Sequence, residues 1–407
     1  MVSPSRPGRA NANRLPAMTL PLLAQTELPP ITPTLAWALL GLSALALAIS
    51  LPASLAVIRI GRRFNAIDTA AIEGQHKMAR RAIPNTGGIA IALGFCLPII
   101  AGLIGVTVMP GALGDWLPAL RPHIAGISER APDAIVLVTG VLIIHVLGVI
   151  DDRRPLGAML KLAIILGVSL AVVLATDTRL LMLLDEPAGG TWASIAITVL
   201  WFGVVTNAMN FMDNMDGLAA GTAVVCCACF AAAAFLGSQL FVAAVLMLLL
   251  GSTLGFLILN YPPAKVFMGD GGSLVLGFVL AFCTTRTTFY ESGAGNWYAV
   301  LMPLVVLAVP LYDFASVTLI RIAQGKSPFK GDLQHLSHRL RKRGLTTRQT
   351  AAVVHGLAGI TGLSGIVLVA AGPREAILIG TQTLLTLMVL AILERGSSSR
   401  RSDEITP

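Results

Sequence analysis

Charge is scarce in this chain. Asp, Glu, Lys and Arg make up only 12% of its 407 residues, against 55% hydrophobic residues. Charged residues form about a quarter of an ordinary soluble domain, so the composition excludes that class. The apolar residues also lie in long uncharged runs, and about 20 such residues span the roughly 30 Å core of a bilayer. The sequence therefore predicts an integral membrane protein.

Aromatic residues and cysteines are also few. Aromatic residues make up 6% of the chain and are not interleaved with its basic residues, which argues against nucleic-acid binding. Cys226, Cys227 and Cys229 lie close together in a way that suggests a metal cluster. Their flanks are purely apolar and no histidine accompanies them, so packing as small hydrophobic residues is the favoured interpretation.

The uncharged runs predict an all-α protein with eleven transmembrane helices. One run, 217–264, is about twice the length of a span, and a turn at 237–239 divides it in two. The others are 32–58, 87–114, 134–150, 162–176, 187–212, 271–285, 292–312, 349–373 and 376–393. The polytopic domain is thus 32–393, between an N-terminal extension, 1–31, and a tail, 394–407, both typical of disorder.

The distribution of lysine and arginine predicts the orientation. With eleven spans, all but eight of the 29 basic residues fall on one face, and the positive-inside rule makes that face cytoplasmic. The N-terminus is then outside and the C-terminus is cytoplasmic, in a plasma membrane. Five aspartates fall at the cytoplasmic helix ends: Asp151, Asp152, Asp213, Asp216 and Asp270. Carboxylates in such positions are costly and usually functional.

The first acidic motif, Asp151-Asp152, ends the third predicted helix. Adjacent helical residues point in different directions, so either carboxylate could ligate Mg²⁺, hold a cation or accept a proton. The alternative is pairing with the two arginines that follow. Lys161, on the next helix, could contact a phosphate or extend to the interface. His145 faces the same way as Asp152, and a packing role is favoured for it.

The second motif repeats an oxygen-bearing side chain at Asn210, Asp213 and Asp216. If the helix continues, the three form one stripe, and such oxygen ligands suit Mg²⁺. No lysine or arginine in this segment offsets the carboxylates. This absence favours a functional role over a solvated acidic turn.

The third motif, 265–273, opens the eighth helix. Its glycines allow close approach of a ligand, Ser273 could cap the helix, and the N–H groups of a helix start favour anions. Asp270 could be only a capping group, and Phe267 could stack on a flat ring or anchor at the interface.

The fourth motif contains His335 and His338 within the basic loop 321–348. A histidine pair on one helical face could bind Zn²⁺, but the basic residues that follow favour an anionic ligand. Together the motifs predict a cytoplasm-facing Mg²⁺ site flanked by basic loops. Such a site suits phosphoryl transfer between a lipid phosphate and a soluble phosphate compound.

These motifs resemble, in this order, those of the polyprenyl-phosphate N-acetylhexosamine-1-phosphate transferases. The segments that carry the resemblance are 81–89, 148–152, 210–221, 266–274 and 327–340. The resemblance implies an eleven-helix membrane fold and an enzyme that uses Mg²⁺, or alternatively Mn²⁺, as its cofactor. A homodimer is compatible with the resemblance. The implied reaction transfers an N-acetylhexosamine 1-phosphate, in this branch GlcNAc-1-phosphate, from a UDP-sugar to undecaprenyl phosphate. UMP is released, and synthesis of a cell-envelope polysaccharide begins.

The resemblance also implies roles for single residues. The implied catalytic carboxylates are Asp151, Asp152 and Asp213, the metal ligands are Asn210 and Asp270, and the substrate contacts are Lys161, Asp216, Phe267, His335 and His338. Asp151 and Asp152 are expected to handle the lipid phosphate, and Asp216 and Phe267 the uridine. Direct attack by the lipid phosphate is favoured over a covalent aspartyl intermediate. Asn214 and Ser337 depart from the family, in which glycine and histidine are usual.

Three alternatives stay open. A UDP-MurNAc-pentapeptide transferase of the same family typically has three adjacent histidines in the fourth motif. A secondary transporter would place its site near the midplane, between repeats, whereas this sequence has no evident repeat and only one deep carboxylate, Asp313. A scaffold for other membrane enzymes is the third alternative.

Overall fold

The structure is a computed structural model that describes residues 33–63, 83–116, 118–287, 297–327 and 334–395. These ranges are built from helices and contain no β-strand. The predicted extension 1–31 and the tail beyond residue 395 lie outside the described residues. So do residues 81–82 and 328–333, which belong to two of the motifs.

Eleven long helices form the described part of the fold. They are α1 (Pro33–Arg63), α2 (Gly88–Val108), α3 (Ala131–Arg153), α4 (Ala158–Thr176), α5 (Trp192–Met212), α6 (Leu218–Leu236), α7 (Leu240–Asn260), α8 (Asp270–Arg286), α9 (Ala308–Ala323), α10 (Thr347–Ala370) and α11 (Pro373–Arg395). Short helical segments join them: Pro110–Trp116, Pro118–His123, Ile124–Glu129, Met182–Leu184, Trp297–Leu301, Met302–Val306 and Leu336–Lys342. Each predicted run overlaps one of these helices, and the predicted turn at 237–239 separates α6 from α7. The overlap is smallest for the run 292–312, whose described part covers Trp297–Leu301, Met302–Val306 and only the first residues of α9.

The all-α, multi-pass membrane fold is confirmed. Nine of the described helices are long and apolar enough to cross a membrane, and the pair Tyr298–Val306 and Ala308–Ala323, bent by 71°, raises the number to ten. The remaining predicted span is α8, which has only 17 residues. The orientation of the two termini stays a prediction.

Helix α8 lies at the centre of the bundle. Every residue from Gly271 to Thr285 is buried, and the helix packs against α2, α3, α5 and α7. A helix that is apolar on all sides needs other helices around it rather than water. Because the neighbours of α8 end near its first turn, side chains from several helices meet where α8 begins.

Glycines bring the neighbouring backbones close to the first turn of α8. A Cβ added at Gly148 on α3 would lie 2.5 Å from the backbone nitrogen of Gly271, and one added at Gly88 on α2 would lie 2.6 Å from the backbone carbon of Gly271. Such distances leave no room for a side chain. Small residues of this kind allow membrane helices to approach closely.

We expect Gly148→Ala to destabilise the bundle, because the added methyl group would push α3 away from the backbone of α8. Overpacking of this kind costs about 1–3 kcal/mol. Thermal unfolding in detergent should show a lower midpoint for this variant. Gly167→Ala on α4 is the matched control, since nothing lies within 4 Å of a Cβ at that position. Equal midpoints for the two variants would contradict the close approach.

Candidate active site

A carboxylate from a neighbouring helix caps the N-terminus of α8. The backbone N–H groups of Asp270 and Gly271 donate to the two oxygens of Asp152, over 2.9 and 3.2 Å. Asn85 donates to Asp152 over 3.3 Å. The expectation that Ser273 would cap the helix is wrong, since its hydroxyl donates to the carbonyl of Gly269 over 3.1 Å. Asp152 therefore fixes where α8 starts.

Lys161 bridges two other aspartates. Its Nζ lies 2.9 Å from Oδ2 of Asp151 and 2.6 Å from Oδ2 of Asp270. The second oxygen of Asp151 accepts the N–H of Leu156 over 2.8 Å. The three charged side chains are 17%, 14% and 24% exposed, so their attraction is screened less than that of a surface pair. The prediction that Asp151 and Asp152 point in different directions is confirmed.

Asn210 adds a fourth helix to this cluster. Its side-chain amide donates to Asp270 over 2.8 Å and to the hydroxyl of Ser273 over 2.9 Å. The predicted helical stripe through Asn210, Asp213 and Asp216 is wrong, because α5 ends at Met212. A turn follows, in which Gly217 adopts a φ of 72°. The two aspartates therefore lie in a loop and point independently of Asn210.

Asp213 lies close enough to the cluster to be repelled by it. Loss of hydration on burial, together with the charges of Asp270 and Asp152, raises the pKa of Asp213 to about 8. A backbone N–H from Gly269 offsets part of this effect. The cluster thus carries more negative charge than Lys161 alone can neutralise, and a further cation would favour the ionised form of Asp213.

The donor set of the cluster fits a hard divalent cation. In the described part of the chain, no three His, Cys, Asp or Glu side chains are grouped so that they could enclose a metal ion by themselves. Mg²⁺ does not need such a cage, because it takes one or two carboxylates and keeps water or substrate phosphates as its other ligands. Asp270 and Asn210 can supply a carboxylate and, after rotation of the amide, a carbonyl oxygen.

Asp216 and Phe267 are joined through one connecting segment, 261–269. Asp216 accepts the N–H of Ala264 over 3.0 Å. The segment is held further by Asn260, whose side chain bonds the backbone of Gly217 and Val266 over 2.9 and 2.8 Å. Asn260 is not among the predicted site residues, because in the sequence it only marks the end of an apolar run. Phe267 is partly buried.

The two histidines of the fourth motif are not on one helical face. His335 precedes the helix Leu336–Lys342 in an extended conformation, with φ −62° and ψ 150°, whereas His338 lies within the helix. Their ring centres are 6.5 Å apart. Burial, with the positive charges of His335 and Arg341, lowers the pKa of His338. A neutral His338 can either donate or accept a hydrogen bond.

The two residues that depart from the family pattern contact each other. The hydroxyl of Ser337 donates to the side-chain carbonyl of Asn214. The amide nitrogen of Asn214 donates to the carbonyl of Phe211 over 2.6 Å. This contact joins the loop that contains Asp213 and Asp216 to the helix Leu336–Lys342.

His145 also contacts the start of α8, on the same side as Asp152. Its Nδ1 lies 2.7 Å from the carbonyl oxygen of Gly271. The favoured packing role is consistent with this contact, which joins two helices rather than facing an open site.

The predicted site residues thus fall into two groups at one end of the bundle. Direct contacts join the first group: Asp151, Asp152, Lys161, Asn210 and Asp270. Asp213 belongs with them through its charge. The second group has no described contact with the first and contains Asp216, Phe267, His335 and His338. A substrate that bridges the two groups would have to be several atoms long.

The fold and the site together define a multi-pass membrane protein with an ion-paired carboxylate cluster at one end of its helix bundle. Glycosyl transferase family 4 matches the chain over residues 134–288. The probable undecaprenyl-phosphate N-acetylglucosaminyl 1-phosphate transferase of Bacillus subtilis is 33% identical over 316 residues, which cover 77% of this chain and 80% of that protein. The decaprenyl-phosphate N-acetylglucosaminephosphotransferase of Mycobacterium tuberculosis (strain ATCC 25618 / H37Rv) is 32% identical over 340 residues, with the same coverages of 77% and 80%.

A more distant relative agrees with these two. The undecaprenyl-phosphate alpha-N-acetylglucosaminyl 1-phosphate transferase of Escherichia coli (strain K12) is 23% identical over 318 residues, which cover 76% of this chain and 78% of that protein. The chain belongs to the family of polyprenyl-phosphate N-acetylglucosamine-1-phosphate transferases. The resemblance stated from the motifs is confirmed, and the transporter and scaffold alternatives are set aside.

Proposed function

We propose that this protein transfers N-acetylglucosamine 1-phosphate from UDP-N-acetylglucosamine to undecaprenyl phosphate, with release of UMP. The relatives named above carry this donor sugar and a polyprenyl phosphate in their names. The observation that carries the proposal is the Lys161 bridge between Asp151 and Asp270 at the end of the bundle. It brings a cation and carboxylates together at one end of the helix bundle, and a phosphate at the bilayer surface is the kind of group that such a cluster can receive.

The reaction is a displacement at phosphorus. An oxygen of the lipid phosphate forms a bond to the phosphorus that carries the sugar. The bond from that phosphorus to the bridging oxygen breaks, and its electron pair leaves on UMP. Catalysis of such a step is mostly positioning and neutralisation of charge.

Lys161 and Asp151 are proposed to receive the lipid phosphate. A phosphate monoester has a second pKa of about 6, so at pH 7 most of the lipid phosphate needs no base. The role of Asp151 is to hold the ammonium group of Lys161. Each oxygen of Asp152 accepts a backbone N–H group at the start of α8, and Asn85 donates to this carboxylate as well. An occupied carboxylate is a poor nucleophile, which favours direct attack over an aspartyl intermediate.

Asp270 and Asn210 are proposed to hold Mg²⁺, for which Mn²⁺ is an alternative. When bound, the cation would supply charge neutralisation for the oxygens of the diphosphate. Asp213 would add a second negative charge beside this position once the cation favours its ionised form. Asp216 and Phe267 are proposed to hold the uridine, and His335 and His338 the diphosphate and sugar. The site is proposed to face the cytoplasm from the plasma membrane, because the basic residues favour that orientation.

The test uses purified protein in detergent with Mg²⁺, undecaprenyl phosphate and labelled UDP-N-acetylglucosamine. We expect equal amounts of UMP and a lipid-linked sugar diphosphate, and no UMP when the lipid is omitted. Product with UDP-GalNAc or UDP-MurNAc-pentapeptide alone would reassign the sugar. If all three nucleotide sugars stay unreacted in protein that is folded, the proposal is wrong.

A further inference from the structure

A buried carboxylate lies beneath the histidine motif. The side chain of Asp313, on α9, is only 1% exposed. One of its oxygens lies 2.9 Å from Nδ1 of His335, and the other accepts the backbone N–H of Leu336 over 2.6 Å. A buried carboxylate is stable only when donors satisfy it. Asp313 therefore holds both the ring of His335 and the start of the helix that follows.

The contact with Asp313 fixes the proton on the ring of His335. A carboxylate can only accept hydrogen bonds, so Nδ1 of His335 must carry a proton. The ring also packs edge-on against Phe211, with centres 5.3 Å apart and an interplanar angle of 86°. Phe211 directly follows Asn210. Among the described residues, Nε2 of His335 has no hydrogen-bond partner. It is also absent from the fully buried polar atoms that lack a partner, so a ligand can reach it.

We propose that Asp313 is the positioning residue for His335, and that it keeps Nε2 of that ring as a donor to the diphosphate of the nucleotide sugar. An anionic oxygen needs a donor at Nε2, whereas Nδ1 already donates to Asp313. With Nδ1 held by Asp313, Nε2 is the ring nitrogen left to face the nucleotide sugar, and it donates when both ring nitrogens carry a proton. The bond that breaks leaves charge on the UMP phosphate, and a donor aimed there stabilises the transition state. This role rests on the proposed transfer reaction.

A merely structural role for Asp313 makes a different prediction. The carboxylate also caps the helix Leu336–Lys342, and caps contribute about 1 kcal/mol. Among the described residues, the titratable and charged neighbours of the pair are His338, beside His335, and Arg339, 4.0 Å from Asp313. One contact further away, Glu394 pairs with Arg339 and Arg321 lies over the ring of Phe211. If Asp313 were needed only for folding, its loss would lower stability and activity together.

Asp313→Asn and Glu394→Gln make a matched pair. Glu394 is also buried, and it contacts Arg339 over 3.1 Å and the hydroxyl of Tyr312 over 2.6 Å, without touching His335. At saturating nucleotide sugar we expect Asp313→Asn to lower kcat by roughly 100-fold with little change in KM. Glu394→Gln should shift the unfolding midpoint by a similar amount and keep most of its turnover. Equal losses of kcat in the two variants would overturn the proposal.

A double-mutant cycle separates positioning from general damage. In a His335→Ala background, Asp313→Asn should lower kcat no further, because the ring that it positions is absent. Independent losses that multiply would contradict the assignment. The cycle is interpreted only if wild-type protein forms UMP. A wild-type protein that forms no UMP would contradict the proposed reaction itself rather than the role of Asp313.

If Asp313→Asn does not fold, chemical modification of wild-type protein tests the proposed contact between His335 and the diphosphate. Diethyl pyrocarbonate modifies accessible imidazole nitrogens, and mass spectrometry locates the modified residue. UDP-N-acetylglucosamine should protect His335 from modification. It should leave the reactivity of His123, which lies beyond the opposite end of the bundle, unchanged. An unprotected His335 in active protein would overturn the proposed contact with the diphosphate.

Discussion

Asp270→Asn is expected to lower turnover by about 1,000-fold while the protein stays folded. Among the described residues, Asp270 is the one side chain that contacts both Lys161 and Asn210, so its charge is shared by the proposed lipid-phosphate and cation positions. Asparagine keeps the size of the side chain and removes the charge. Stability should change little, because the lost attraction to Lys161 is offset by relief of the repulsion between Asp270 and Asp152.

The control for this variant is Asp133→Asn. Asp133 lies at the opposite end of α3 and pairs with Arg286, and its side chain is 15% exposed. Its loss should lower stability by about 1–3 kcal/mol and leave kcat near that of wild type. Turnover and unfolding midpoints measured on the same preparations distinguish the two effects. Full activity of Asp270→Asn would remove this residue from the cation position.

The fold was predictable because the membrane leaves a strong pattern in the sequence. Each lipid-facing or buried helix must be apolar along its length, so uncharged runs mark the helices, including the short α8. The five aspartates stood out for the same reason, since carboxylates interrupt such runs rarely. The number of predicted helices between them then placed all five aspartates at the same end of the bundle. These inferences used only local composition and the alternation of the chain across the bilayer.

The pairings within the site could not be predicted in this way. Asp152 caps α8 across 118 residues of sequence, and only the close packing of α3 on α8 makes that contact. The end of α5 at Met212 was missed because Asn210, Asp213 and Asp216 keep a helical spacing. Hydrogen-bonding side chains such as aspartate favour helix ends, which was a usable signal.

One long-range contact did leave a trace in the sequence. Asn214 and Ser337 both depart from the family pattern, and the structure brings them together across 123 residues. A glycine at one position and a histidine at the other would make a different contact. The two departures therefore form one contacting pair.

Lys161→Met should lower turnover by about 100- to 1,000-fold and, in contrast to Asp270→Asn, strengthen cation binding. Without its ammonium group, Asp151 and Asp270 keep their charges and lose their partner. Two unit charges about 4 Å apart near a protein surface interact by about 4 kcal/mol. Lys161 therefore competes with a divalent cation for Asp270, and its removal should tighten binding by at least about tenfold.

Mn²⁺ is the probe for this prediction, since its binding is measured by electron paramagnetic resonance without turnover. Lys265→Met is the matched control, because Lys265 is an exposed lysine in the segment that leads to Asp270. It removes one positive charge at the same end of the bundle and should leave the Mn²⁺ dissociation constant within about twofold, as expected for a screened surface charge. Weaker Mn²⁺ binding in Lys161→Met would mean that the lysine orders the carboxylates for the cation. In that case Lys161 and the cation would occupy the site together, and the lipid phosphate would meet both at once.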